Sequence, residues 1–159
     1  MYKHKNMSET TFWLLSLLWG DCLTLIGAIT AAVFYLKGYS FYKHHYSYVC
    51  EVGDKWGGLT LGPFIFINRN PSKTLLNHEF GHSLQNCYFG DGMILISLWS
   101  AARYWFRELV SRQLYDVPAF LRPLKEFIHE LGYELPTYDS IWFEGTATFL
   151  GNRFDTGRG

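Results

Sequence analysis

Between Phe12 and Leu36 the chain runs for 25 residues with one charge, Asp21. No other feature constrains the fold as much, because that much apolar surface must be buried in protein or in lipid. As a single helix, at about 1.5 Å per residue, the stretch reaches roughly 37 Å, enough to cross a bilayer core of about 30 Å. Trp13, Trp19 and Tyr35 lie within it, and Lys3, Lys5, Lys37 and Lys43 flank it. Aromatic and basic residues at such places suit the lipid–water interface. Gly20 and Asp21 interrupt the pattern, since a carboxylate in the outer third of a span is costly unless it faces protein or water. The reading is an N-terminal membrane helix or helical hairpin, with residues 1–40 as the anchor. A cleaved signal peptide and a buried helix of a soluble protein are the alternatives. Lysines on both sides leave the orientation open.

The remainder of the 159 residues is enough for one domain. Lys plus Arg is 14 and Asp plus Glu is 14, a balance that argues against nucleic acid as partner. Apolar residues make up 48%, aromatics a high 19% and charged residues a low 18%, which excludes intrinsic disorder. Cys22, Cys50 and Cys87 form no CxxC pair and read as reduced thiols, with a Cys50–Cys87 bridge as the alternative in an oxidising compartment.

After the apolar stretch, Lys43, His44 and His45 suit headgroup level, with metal ligation as the lesser reading. Tyr46 to Gly53 is rich in Tyr and Val, Gly57-Gly58 signals a turn, and Gly58–Gly62 and Pro63–Asn68 read as short strands. Phe64 to Asn68 is apolar on both faces, so one face is expected to pack on a helix. Asn70, Pro71 and Ser72 announce a helix over 72–88. Gly92 to Phe106 is apolar but too short for a span before Arg103, and reads as a half-embedded or core helix reaching to about 113. Pro118 and Pro123 punctuate the next stretch, a helix follows over 124–131, and Asp139 caps a last helix from 140 to about 152.

The helix at 72–88 carries His78-Glu79-Phe80-Gly81-His82, an HExxH motif. Positions i and i+4 fall roughly 40° apart on one helix face, so both imidazoles reach one ion. Glu79, beside the first ligand, is placed to accept a proton from a water at the open position of a zinc site. The motif is short and arises by chance in about one of a hundred shuffled chains of this kind. Gly81 is a poor helix former, and its place there implies a close approach by another element.

A catalytic zinc site takes a third protein ligand. Glu108, Asp116, Glu126, His129, Glu130, Glu134, Asp139 and Glu144 lie downstream. Glu144 stands out because Gly145, Ala147 and Thr148 are small enough to pack against the HExxH helix, while Trp142, Phe143 and Phe149 bury the surroundings. His129 is the alternative ligand. For the oxyanion of an attacked carbonyl, Tyr133, Tyr138, His129 and Arg103 are candidate donors. Tyr138 and His129 are retained as the transition-state stabilisers.

HEFGHSLQ followed at a distance by WFEGTA resembles the HExxH…E arrangement of gluzincin-type metallopeptidases. More closely, it is similar to small bacterial membrane-associated proteins with HEFGHxxQ and a later WxExxA. The likeness covers most of the chain, from Leu14 to Gly151, although the spacer of 61 residues between His82 and Glu144 is longer than in familiar gluzincins. The resemblance implies His78, His82 and Glu144 as ligands of Zn2+ and Glu79 as general base. The chain as a whole is expected to form an α+β fold, mostly helical and zincin-like, with a small sheet at about 46–68 and a metallopeptidase domain over 41–159. The substrate is expected to be a membrane-proximal peptide or protein, the location a bacterial cell membrane, and lipid the second partner. Asn77, Ser83, Gln85 and Asn86 make the motif helix too polar for a lipid-facing span, so the site is expected at the membrane surface. A membrane protein that keeps zinc for structure or binding is the second reading, and a scaffold with a coincidental motif the third.

Overall fold

A strand that is apolar on both faces needs cover on both. In the computed structural model, which describes residues 7–54, 57–113 and 142–156 and the backbone alone at 103–113 and 156, strand β4 (Phe64–Asn68) has it. Before it come helices α1 (Glu9–Leu18) and α2 (Asp21–Leu36) and strands β1 (Phe41–His44), β2 (Ser47–Gly53) and β3 (Gly58–Leu61). After it come α3 (Lys73–Phe89), α4 (Gly92–Gln113) and α5 (Trp142–Thr156). The fold is α+β.

The four strands form a mixed sheet in the order β1-β2-β4-β3. The central pair, β2 and β4, is parallel, with Val49 opposite Ile65 and Cys50 opposite Phe66. Both edge strands run antiparallel to their neighbours. Side chains alternate across the sheet, so Val49, Ile65 and Ile67 share one face with Phe12 of α1 and Phe80 and Leu84 of α3. Cys50 and Phe66 face the other way, onto Ala31 and Phe34 of α2. Both faces of β4 therefore pack on helices, where one was expected. Cys22, Cys50 and Cys87 are free thiols.

The apolar N-terminal stretch is two helices that meet at 99°, broken at Trp19-Gly20. Among the described residues no single helix is long and apolar enough to cross a membrane. A continuous span over 12–36 is thus not the form adopted. The bend is held by specific contacts: Thr24 Oγ1 donates to the Ser16 carbonyl at 2.7 Å, and Gly20 abuts the Asn86 side chain. Phe12 is fully buried in the core beside Phe80.

Strand β1 was not expected, because its sequence, Phe41 to His44, is polar for a strand; it is an edge, where polar side chains are tolerated. Lys43 pairs with Glu9. His44 and His45 pack with Phe80. The helices expected at 124–131 and at 140–141, with the Asp139 cap, lie outside the described residues.

Helix α3 starts where Ser72 caps the Leu75 N–H at 3.1 Å. Its polar residues are buried, not solvated: Asn77, Ser83, Gln85 and Asn86 all sit inside the protein. Ser83 meets Ser47 at 3.1 Å, and Asn77 meets Asn152 at 3.3 Å and His44 at 3.2 Å. Two glycines let α5 lie directly on α3. A Cβ at Gly81 would collide with the Ala147 carbonyl, and one at Gly151 with the Asn77 carbonyl. Neither obstacle is a flexible side-chain tip, so relief requires the helices to separate. Gly81→Ala is expected to lower stability by about 3 kcal/mol, read as an earlier urea unfolding midpoint; an unchanged midpoint would refute the close approach.

Candidate metal centre

The helical repeat places His78 and His82 on one face of α3, with Nε2 atoms 3.2 Å apart. Glu144, the third residue of α5, reaches them from the packed neighbour. Its Oε2 lies 3.4 Å from His78 Nε2 and 3.2 Å from His82 Nε2. These three ligand atoms converge closely enough to hold one metal ion.

The outer atoms of the three ligands are each fixed by a hydrogen bond. Thr148 donates its hydroxyl proton to the Glu144 carbonyl at 3.3 Å, so its oxygen accepts from His78 Nδ1 at 2.8 Å. Gln85 donates its amide to Phe143 O at 2.8 Å and Thr146 Oγ1 at 2.7 Å. Its carbonyl oxygen is left to accept from His82 Nδ1 at 2.8 Å. With both Nδ1 atoms protonated, both neutral rings turn a lone pair inward through Nε2. Ser100 Oγ on α4 donates to Glu144 Oε1 at 2.8 Å.

The inner oxygen of that carboxylate, Oε2, is buried and receives no hydrogen bond among the described residues. Three acceptors then face one another with no donor between them, an arrangement that a cation satisfies. Two imidazoles and a carboxylate form a donor set suited to Zn2+. The residues present therefore fit a metal.

Glu79 points to the other side of the cleft. It is 5% exposed, and its Oε2 accepts from Thr60 Oγ1 of β3 at 2.6 Å. Gly58 of the same strand lies so close that a Cβ there would meet the Glu79 carboxylate. A cavity of about 690 Å³ opens over these groups, walled by Gly58 and Thr60 of β3, Leu75 of α3, Met93 of α4 and Phe143 of α5.

The structure brings together His78, Glu79, His82 and Glu144. Phe143 is buried and its ring lies 5.1 Å from that of His82. Trp142 and Phe149, expected to bury the site, are exposed; Trp142 meets the far end of α3, its ring 5.8 Å from that of Phe89. Tyr133, Tyr138 and His129 lie outside the described residues, as does the side chain of Arg103. Four supporting residues were not anticipated. Gln85 follows His82 by three positions, a helical spacing that could have pointed to it, whereas Thr148 reaches His78 from the other helix. Ser100 and Thr60 come from other elements and leave no local signal. Comparison with protein-family models, curated proteins and solved structures finds no match to the chain.

Without a cation, a proton shares the gap. Burial disfavours charge on Glu144, but the His78 and His82 imidazoles beside its Oε2 and the Ser100 hydroxyl at its Oε1 hold its carboxyl well below the usual carboxylate range. Burial also opposes a charge on His82, yet Glu144 and Glu79 hold its ring above the ordinary imidazole value. The Glu144 contribution is present above its unfolded value of about 4.5 and is lost as pH falls. The His82 contribution is full below about 6.5 and is lost as pH rises through its raised value. In chelator-treated protein, the stability difference between wild type and Glu144→Gln is expected to peak between these two values. Thermal unfolding across pH checks this, and a pH-independent difference would contradict it.

Proposed function

We propose that the protein is a zinc-dependent metallopeptidase that acts on membrane-proximal peptide or protein substrates while its N-terminal region holds it at a membrane. The observation that carries this reading is the convergence of His78, His82 and the buried Glu144, with Glu79 beside them on the wall of an open cavity. Zn2+, when bound by these three ligands, supplies Lewis acidity at the carbonyl under attack.

The chain's own residues supply the rest. Strand β3 pairs on one side with β4, and among the described residues its other edge has no strand partner. That edge borders the cavity, so an extended peptide can lie along it and use its free N–H and C=O groups. Glu79, held by Thr60, takes a proton from water as the water oxygen bonds to the carbonyl carbon. It then passes a proton to the amide nitrogen as the C–N bond breaks, so the amine leaves neutral. Leu75, Met93 and Phe143 line the same cavity and give it an apolar wall.

The burial of Glu79 and its bond to Thr60 also favour a second reading, a zinc-binding membrane protein without turnover. One pair of variants separates them. Glu79→Gln is expected to keep one zinc per chain and lose peptide cleavage by about a hundredfold or more. Glu144→Ala is expected to lose the metal itself, read by metal analysis of purified protein. Cleavage that survives Glu79→Gln, or wild-type protein without stoichiometric metal, would overturn the proposal.

A further inference from the structure

We infer that the chain sits in one leaflet of a lipid bilayer, with α2 lying flat in the boundary between headgroups and acyl chains. This rests on the membrane reading given above and adds to it the depth, the face and the orientation.

Helix α2 has two unlike sides. Thr24, Gly27 and Ala31 are buried on the sheet side. The opposite side carries Leu25 (62% exposed), Ile26, Ile29 (58%), Val33 and Leu36 (84%). No charge occurs between Asp21 and Lys37. Thr30 has its hydroxyl bonded to the Ile26 carbonyl of its own helix at 2.8 Å. The outer side thus makes no demand for a polar partner. Protein interfaces carry about one hydrogen bond per 100–200 Å², which orient the partner, and this surface offers none. Between Leu25 and Val33 the outer side has what lipid requires, no polar side chain left without a partner in the chain. The exposed Tyr35 lies at the Lys37 end, a residue of the kind that settles at headgroup level.

A crossing geometry fails on length and on packing. At about 1.5 Å per residue, α2 spans roughly 24 Å and α1 roughly 15 Å, against a core of about 30 Å, and the two meet at 99°. Gly27 is seated against the Leu61 carbonyl and the Phe64 ring. Carrying α2 to the bilayer centre would drag β3, with its unpaired edge, into lipid. Asp21 at one end and Lys37 at the other both seek water, and a flat helix satisfies the two at once. Helix α4 carries a second exposed apolar set, Leu95, Leu98 and Trp99. Its start is fastened to the bend: Asp91 N–H donates to the Trp19 carbonyl at 3.1 Å, and Asp91 Oδ1 accepts from Cys22 N–H at 3.1 Å. Trp19 and Trp99 are residues of the kind that settle at the interface.

The test uses the full chain, moved from mild detergent into phosphatidylcholine–phosphatidylglycerol vesicles. In a Cys22→Ser background, Leu25→Cys, Ile29→Cys and Leu36→Cys each carry an environment-sensitive fluorophore; the buried Cys50 and Cys87 stay unlabelled. Nitroxide lipids quench at shallow or deep positions. Flat seating predicts equal, shallow depth at all three. A profile deepest at Ile29, with Leu25 and Leu36 at opposite surfaces, would overturn the seating and leave the membrane reading intact. A chain that ignores vesicles and pairs with a second copy would overturn both. The double variant Ile29→Glu, Val33→Glu is expected to cut vesicle partitioning by roughly tenfold or more with zinc per chain unchanged. Unchanged partitioning would overturn the assignment of this face.

Discussion

The approach of α5 onto α3 is the contact on which the site depends. Backbone meets backbone at Gly81 and Ala147, and again at Gly151 and Asn77. That closeness carries the Glu144 oxygen to within 3.2 Å of His82 Nε2. A helix pair spaced by larger side chains would leave the carboxylate short of the imidazoles, and the motif on α3 would be half a site. The convergence of His78, His82 and Glu144 is therefore a consequence of two missing methyl groups.

The same packing explains why a polar helix can be the centre of the molecule. Burying Asn77, Ser83 and Gln85 is costly unless each finds a partner. Here the partners come from the sheet, from the β1 end and from α5. Such a network is directional where an apolar core is not, so it fixes the rotation of α3 about its axis. Rotation of that helix decides which way His78 and His82 face. Fold specificity and ligand orientation thus share one set of hydrogen bonds.

Legibility in the sequence follows from how local each feature is. The histidine pair was readable because helical periodicity alone places i and i+4 together. Glu144 was readable from the small residues around it, which permit close packing, and Gly81 from its poor fit to a helix interior. The doubly apolar Phe64–Asn68 announced burial, though not a helix on each face. Strand β1 was not readable, since an edge strand carrying Lys43 and His44 lacks the apolar alternation that marks a strand. The polar residues of α3 spoke for solvent, and only the neighbours reveal that Asn77, Ser83 and Gln85 find partners inside. Thr60 and Ser100 reach the site across tertiary contacts that no spacing rule encodes. The break at Gly20 was marked by Asp21, but its angle is set by Thr24, Ser16 and Asn86.

Strand β3 divides its loyalties residue by residue. Leu61 and the adjoining Gly62 lie against Gly27 and Thr24 of α2, while Gly58 and Thr60 lie against Glu79. Thr60 and Leu61 are consecutive, so the two sets of contacts adjoin. A strand this short is stiff along its length, so any displacement of α2 is transmitted to the hydroxyl that orients the carboxylate. Helix α2 and the proposed proton carrier in this sense bear on the two ends of one short strand.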